Sequence, residues 1–258
     1  MTPTDEARPP VLPTIRPLPS PAEIERLAIG DLSDWFNPFL PHFMRECLRS
    51  GGEIHVAADG PAVSGLLLYD PVDRTASVFA RSPEIALELF RHRDHGAVFS
   101  EHPFPLPRVR FDILSVDLSG WDERHRFAHP VRAVREGDVR PIADLMREVY
   151  GRFDERWLGN GAPEGEKGFV SMVDGQVAGT AWVTLVPGFG RLHSLSVRPR
   201  FRRLGLGTDL VYARMLWAAR NGARRVISEI PEDNAASLEI ARRAGMRRSG
   251  SIYLYERP

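Results

Sequence analysis

The stretch Val197-Arg198-Pro199-Arg200-Phe201-Arg202-Arg203-Leu204-Gly205-Leu206-Gly207-Thr208 has the residue types of an anion-binding turn. A strand ends, arginines follow, and two glycines open an amphipathic helix with Leu206, Leu210, Ala213 and Trp217 on its apolar face. The first amides of a helix have no internal partner and point outward. The helix dipole adds partial positive charge there, worth about 0.3–1 kcal/mol to an exposed anion. Gly205 and Gly207 remove side chains that would hold a phosphate off those amides. Arg202 and Arg203 add charge nearby, so a pyrophosphate is a natural guest. Other phosphate loops fit less well. A dinucleotide fingerprint needs a third glycine where Leu210 stands, and a Walker loop needs Gly-Lys-Ser/Thr, whereas Gly207-Thr208 lacks the lysine. A plain glycine-rich helix start carrying surface arginines is the other reading of these residues.

The elements that must position this turn follow from periodicity. Pro21 to Arg49 reads as helical, broken at Pro38 and Pro41. Glu53–Ala58 and Ala62–Tyr69 read as strands around the turn Asp59-Gly60-Pro61. A strand over Ala76–Ala80, a helix over Pro83–Arg91 capped by Ser82, and strands over Gly96–Ser100 and Val109–Val116 complete a first half. The second half repeats the theme. Val131–Val134 is a strand, Asp138–Tyr150 a helix, and Gly168–Val173 and Gln176–Leu185 are strands around Asp174-Gly175. Arg191–Val197 is the next strand, and Leu206–Asn221 a helix closed by Gly222. Arg225–Ile230, Asn234–Ala244 and Ser251–Tyr255 follow as strand, helix and strand. Helix, hairpin, strand, helix, strand thus occurs twice. The domain reading is a proline-rich arm over 1–20, a domain over 21–116, a linker over 117–130 and a domain over 131–258.

Composition narrows the function classes. Hydrophobic residues make up 43% of the 258, enough to bury a core. Lys+Arg and Asp+Glu are 34 each, a balance that argues against a nucleic-acid coat or a membrane-surface protein. Lys167 is the sole lysine. Cys47, the sole cysteine, cannot pair internally, and it reads as a core thiol in a reducing cytoplasm. The prolines of the arm do not read as a signal peptide, and no apolar run approaches the roughly 20 residues of a membrane span. His92, His95 and His102 lie in charged surroundings without metal-ligand spacing and read as a solvated turn, so no metal is expected.

Arg202-Arg203-Leu204-Gly205-Leu206-Gly207 resembles the Gln/Arg-x-x-Gly-x-Gly/Ala signature of the GNAT superfamily of acyl-CoA-dependent N-acyltransferases. Leu195-Ser196-Val197-Arg198-Pro199 is similar to the family's cofactor-contacting strand. Asn234-Ala235-Ala236-Ser237 and then Arg243-Ala244-Gly245-Met246 are similar to its late segment. The resemblance covers about Val131 to Tyr255 in family order. The first half resembles the fold in outline, with Arg81-Ser82-Pro83-Glu84 where the glycine turn would stand. The resemblance implies an α/β (α+β) fold of two tandem GNAT-like domains, the first degenerate. Each would be a mixed, mostly antiparallel twisted sheet flanked by helices. It implies an N-acetyltransferase moving an acetyl group from acetyl-CoA to a primary amine by direct attack. The acceptor would be a small molecule or a peptide N-terminus, and the protein a monomer or homodimer. A non-catalytic CoA-binding or regulatory module is the alternative. The backbone of Leu195, Ser196 and Val197 would meet the pantetheine arm. The amides of Arg203, Leu204, Gly205, Leu206, Gly207 and Thr208 would hold the pyrophosphate beside Arg202. Asn234 matches a position that often helps hold the cofactor.

Acyl transfer to an amine needs a base for the ammonium, polarisation of the thioester oxygen, and a proton for the leaving thiolate. His193 is the first candidate base, on the strand with the parity of Leu195 and Val197. Its imidazole titrates near neutrality, and Leu192-His193-Ser194-Leu195-Ser196-Val197 resembles the strand of arylalkylamine N-acetyltransferases. Arg191 replaces the earlier histidine of that pair. A hydrogen-bonded histidine between sheet and helix is the other reading. Glu229 is the second candidate, acting through a water, or else a salt-bridged strand end. The family's usual acid, a tyrosine seven residues after the asparagine, is Ala241 here. Tyr253 or Tyr255 would substitute, or pack in the sheet. Trp157 lines an acceptor groove or anchors a core.

Overall fold

Hydrophobic strands and amphipathic helices alternate along the chain, and each set closes around its own core. The computed structural model describes residues 13–18, 20–24, 27–59, 62–121, 124–151 and 165–256. The arm up to residue 12, the turn residues Gly60 and Pro61, and Trp157 lie outside them. Two units form, one of residues 1–108 with Tyr253–Pro258, the other of Val109–Ile252.

The first unit contains β1 (Thr14–Pro17), α1 (Pro21–Ile24), β2 (Ala28–Ile29), α2 (Leu40–Arg49), β3 (Glu53–Asp59), β4 (Ala62–Asp70), β5 (Thr75–Ala80), α3 (Pro83–His92) and β6 (Ala97–Ser100). Its strand order is β1-β3-β4-β5-β6, and the last residues of β13 (Arg247–Glu256) pair antiparallel with β6. The stretch Pro21–Arg49, expected as a helix broken at Pro38 and Pro41, is several short elements that include the strand β2. Pro41 sits in the first turn of α2, where its missing N–H would have no helical partner anyway. Thr14–Pro17, expected as arm, pairs with Ala58–His55 as an edge strand. Under α3 lies a core of Leu67, Val78, Leu89, Val98 and Tyr255.

The second unit contains β7 (Val109–Asp117), β8 (Val131–Ala133), α4 (Val139–Tyr150), β9 (Glu166–Val173), β10 (Gln176–Val186), β11 (Phe189–Val197), α5 (Leu206–Arg220), β12 (Arg225–Pro231), α6 (Ala235–Arg243) and the start of β13. Its order is β8-β9-β10-β11-β12-β7-β13. Asp174 (φ 48°) and Gly175 (φ 74°) turn β9 into β10 with both central residues left-handed, as a two-residue hairpin requires. Val177 to Thr184 is buried without alternation because both faces of β10 are covered. Leu210, Val211, Met215 and Ala218 of α5 cover one face with Ala181, Val183 and Leu192. Ile142, Leu145 and Met146 of α4 cover the other with Val170.

Both units share one arrangement. An antiparallel hairpin (β3-β4, β9-β10) leads to a third antiparallel strand (β5, β11), then a helix, then a parallel strand (β6, β12). The next strand is not drawn from the same half of the sequence. β7 follows β6 in the chain but pairs with β12, from Arg225↔Asp117 to Pro231↔Phe111. The end of β13 follows the second half but pairs with β6, from Tyr253↔Ser100 to Glu256↔Ala97.

Candidate functional site

Strand β11 decides the geometry. It pairs in parallel with β12 only from Phe189↔Arg225 to Arg191↔Ile227, and then runs on to Val197. Beyond Arg191 its backbone edge toward β12 has no strand partner among the described residues, with Ser228 Oγ donating to Leu192 O at 2.9 Å near the point of parting. Within this stretch β11 carries an extra residue. Ser196 faces Thr180 and His193 faces Trp182, so three steps on β11 match two on β10. Ser194, at φ 52°, is the left-handed bulge residue. The bulge overturns the parity expected for His193. Leu195 and Val197 pack on the α5 side, whereas His193 shares the α4 face with Ser196 and Trp182. A period-2 reading cannot see an inserted residue.

Arg214 of α5 pins the bulge from beneath. Its side chain is buried, with 2% of the residue exposed. Nη1 donates to Trp182 O and His193 O, both at 3.1 Å, and Nε to Leu210 O at 3.2 Å. Burial lowers its guanidinium to about 9, so it stays charged at neutral pH and holds both sides of the bulge.

Past Val197 a short 3-10 turn (Pro199–Phe201) leads to the glycine turn. Arg203 (φ 63°) and Gly205 (φ 90°) are left-handed, and Gly205 is the N-cap of α5 with no side-chain cap. The first bond at this end is Asp209 N to Gly205 O, so the amides of Leu206, Gly207 and Thr208 precede helical pairing. A Cβ on Gly205 would meet no protein atom within 4 Å, so the space over this end is open. Gly207 has a second reason to be glycine: a Cβ there would lie 3.1 Å from Ile240 Cδ1 of α6. Arg202 and Arg203 are exposed, with Arg202 Nε donating to Val197 O at 3.3 Å. Leu204 is exposed as well. This end of the helix fits a pyrophosphate.

On the α4 face His193 is held on both ring nitrogens. Nε2 lies 3.0 Å from Thr184 Oγ1 and 3.4 Å from Glu166 Oε1, and Nδ1 lies 3.1 Å from Ser194 Oγ. Burial is the main cause that pushes its pKa below the ordinary histidine value, and the Arg191 charge adds to it. The Glu166 hydrogen bond and the charges of Glu166 and Glu229 oppose that shift. Glu229 accepts from Arg191 Nε at 2.9 Å and is an ion-pair partner on the same face. Tyr150, at the end of α4, meets Ser196 Oγ at 3.0 Å through its hydroxyl.

Residues 133–246 match the family model described as the acetyltransferase (GNAT) family. The second unit is a GNAT-family domain. The chain as a whole has the tandem GNAT fold. A tandem GNAT protein from the clavulanic acid biosynthesis pathway, solved without acetyl-CoA, superposes with a TM-score of 0.65 at 17% identity, over 94% of this chain and 98% of that one. A Drosophila protein gives 0.65 at 14% identity, over 95% and 99%. A GCN5-related N-acetyltransferase from Sphaerobacter thermophilus gives 0.55 at 18% identity, over 95% and 96%. No curated protein matches the sequence. The family is one of transferases, and its fold points to an acyl-CoA donor and an amine acceptor.

The GNAT domain brings the turn residues Arg202 to Thr208 and the strand residues Leu195, Ser196 and Val197 to one end of β11 and α5. Asn234 is the exposed N-cap of α6, its side chain accepting from Ser237 N at 3.1 Å. Ala241 is core. Tyr255 belongs to the first unit, where its hydroxyl accepts from Phe104 N at 2.6 Å and donates to His102 O at 3.2 Å. Tyr253 lies there under the Arg108 guanidinium. The three histidines read as a solvated turn are not all solvated. His95 is 1% exposed with Nε2 donating to Phe90 O, because Phe90 covers its ring. Among the described residues no group of three or more His, Cys, Asp or Glu is placed to hold a metal, and no helix is long and apolar enough to cross a membrane.

Sequence reasoning missed Glu166, Thr184, Ser194, Arg214 and Asp209. Asp209 sits buried in the first turn of α5 and gathers the segment before β8. His125 Nε2 and the His129 amide donate to its carboxylate at 2.8 and 3.0 Å, and Ala128 N at 3.3 Å. Glu166, Thr184 and Asp209 carry no spacing signal because their partners are distant in sequence, and Ser194 is marked only by a bulge that the facing strand defines.

Proposed function

We propose that the second unit is an N-acetyltransferase that moves an acetyl group from acetyl-CoA to a primary amine by direct attack. The observation that carries the reading is the uncapped glycine start of α5 beside the stretch of β11 that runs on past its pairing with β12. The backbone of Leu195, Ser196 and Val197 receives the pantetheine arm, and the amides from Arg203 to Thr208, with Arg202, receive the pyrophosphate. Asn234 supports the cofactor from the start of α6. When bound, acetyl-CoA supplies the thioester carbonyl and the leaving thiolate. His193 serves as the base: burial keeps its imidazole neutral at physiological pH and able to accept a proton. Glu229 is the second candidate, and its Arg191 partner would have to yield for it to act. The acceptor is a small amine or a peptide N-terminus, and the lone thiol of Cys47 suits a cytoplasmic protein. The first unit serves as a degenerate copy that supports the second.

A non-catalytic CoA-binding module is the second reading, favoured by Ala241 where the usual acid would stand. A panel of amines incubated with acetyl-CoA, reading free thiol, separates the two. Thiol release that depends on an amine supports the transferase. Binding of acetyl-CoA with no release across the panel supports the module.

A further inference from the structure

We infer that Thr184 and Glu166 hold His193 as its Nε2–H tautomer, so that Nδ1 is the proton-accepting nitrogen and the Ser194 hydroxyl relays the acceptor's proton to it. This rests on the acetyltransferase reading.

Hydrogen counting around Thr184 sets the tautomer. Thr184 Oγ1 has one proton to give and lies 3.2 Å from Glu166 Oε1 and 3.0 Å from His193 Nε2. A carboxylate can only accept, so the hydroxyl proton goes to Glu166. The Thr184 oxygen is then left as an acceptor for His193, and only an Nε2–H can fill that role. Glu166 Oε1, 3.4 Å from Nε2, favours the same proton. The opposite tautomer would set the Nε2 lone pair toward the carboxylate and take the hydroxyl proton away from it. With Nε2 protonated, Nδ1 carries a lone pair, and the group facing it is the Ser194 hydroxyl at 3.1 Å.

Ser194 is placed for a relay by the bulge. Its φ of 52° is a left-handed backbone that costs a non-glycine residue about 1 kcal/mol and is found where the surroundings impose it. It sits where β11 has already parted from β12. The ammonium loses one proton to Ser194 Oγ while the hydroxyl's own proton passes to Nδ1. The electrons of the broken N–H bond remain on nitrogen as the attacking pair. The imidazolium so formed carries a proton on each nitrogen and stands beside the Glu166 charge. Among the described residues the charged groups acting on it are Glu166 from β9, Arg191 from β11 and Glu229 from β12, two anions and one cation. Thr184 and Glu166 are positioning residues, and Ser194 is the group that touches the acceptor.

The tautomer is read without activity, by long-range 1H–15N correlation on the labelled full chain, with His193→Gln identifying the signals. The expected result is a pyridine-type Nδ1 and a pyrrole-type Nε2. The reverse pattern overturns the inference. Turnover tests the relay. Ser194→Gly suits the left-handed backbone and removes the hydroxymethyl side chain, and it should lower kcat about 10²-fold with little change in the KM for acetyl-CoA. Glu166→Gln should move the acid limb of the pH profile to lower pH, because the imidazolium loses its neighbouring anion. Ser194→Gly with wild-type turnover and pH profile overturns the relay. A wild-type chain that transfers to no amine yet shows the Nε2–H tautomer sinks the acetyltransferase reading and the relay with it, while the lock stands.

Discussion

A buried arginine that donates to backbone carbonyls instead of pairing with a carboxylate is there to shape the chain. Replacing Arg214 by Met keeps the apolar stem and strips the Nη1 donor from the carbonyls of Trp182 and His193. Each buried acceptor left unpaired costs about 1–3 kcal/mol, so Arg214→Met should lower stability by roughly 2–4 kcal/mol in urea unfolding. A smaller change would mean that the bulge holds its own shape. His193 sits directly above this pin. As the base, it must be neutral to work, and its lowered pKa places the acid limb of kcat below the ordinary histidine value of 6.5. His193→Gln should cost 10²–10⁴ in turnover and leave acetyl-CoA affinity nearly unchanged. Glu229→Gln is the control, and a large loss there with His193→Gln near wild type transfers the role. In the first unit burial pushes Glu101 up to about 7, against the Ser33 hydroxyl that donates to it at 2.7 Å. A raised carboxyl binds its proton more tightly folded than unfolded, so its contribution is full below about 4.5 and is lost as pH rises through 7. Glu101→Gln should therefore flatten the fall in melting temperature between pH 5 and 8, and an unchanged slope counts against that burial. Residue types alone made His193 visible, but not the atoms around it. Thr184 and Glu166 lie on other strands, and Arg214 would read from sequence as one more surface charge on a helix.

At the scale of the element, two helices occupy equivalent places after β5 and β11 but differ at their first residue. In α3 the Ser82 side chain accepts from Ile85 N, Pro83 has no N–H, and Glu84 brings a negative charge to the first turn. That end offers an anion little. In α5 a left-handed glycine caps the helix and leaves its first amides uncovered. One acetyl-CoA should therefore bind per chain by calorimetry, at the second unit. Gly205→Val should remove most of the thermal stabilisation that acetyl-CoA gives, through the side chain filling open space and through its dislike of φ 90°. A variant that folds and still binds acetyl-CoA as tightly as wild type shows that the phosphate sits elsewhere. Both helix starts were legible, because caps and glycines are local signals. The β11 bulge was not, because it is defined by the strand it faces. Across Pro21–Arg49 the breaks expected at Pro38 and Pro41 were local signals too, whereas the short strand Ala28–Ile29 was not, because it is defined by its pairing with β4.

At the scale of the whole molecule, the repeat of hairpin, strand, helix and strand was readable from period and turn residues. The ownership of the last strand was not, because a run such as Tyr253-Leu254-Tyr255 carries no mark of its partner. Tyr255 is 2% exposed in the first unit's core and its hydroxyl satisfies Phe104 N. Deleting Tyr253–Pro258 should thus destabilise the first unit by more than about 3 kcal/mol, the loss typical of one large buried aromatic. Limited proteolysis should cut first among residues 13–108, and a truncated chain as resistant there as full length would argue that β6 does not depend on the C-terminus. Translation gives this feature a further meaning. β6 leaves the ribosome early, yet the four residues that pair with it are made only after the whole second unit. At about 5–20 residues per second, the roughly 150 residues between them take on the order of 7–30 s. Throughout that time the nascent first unit presents a bare strand edge, the kind of surface that chaperones shield and neighbouring chains on a polysome can capture.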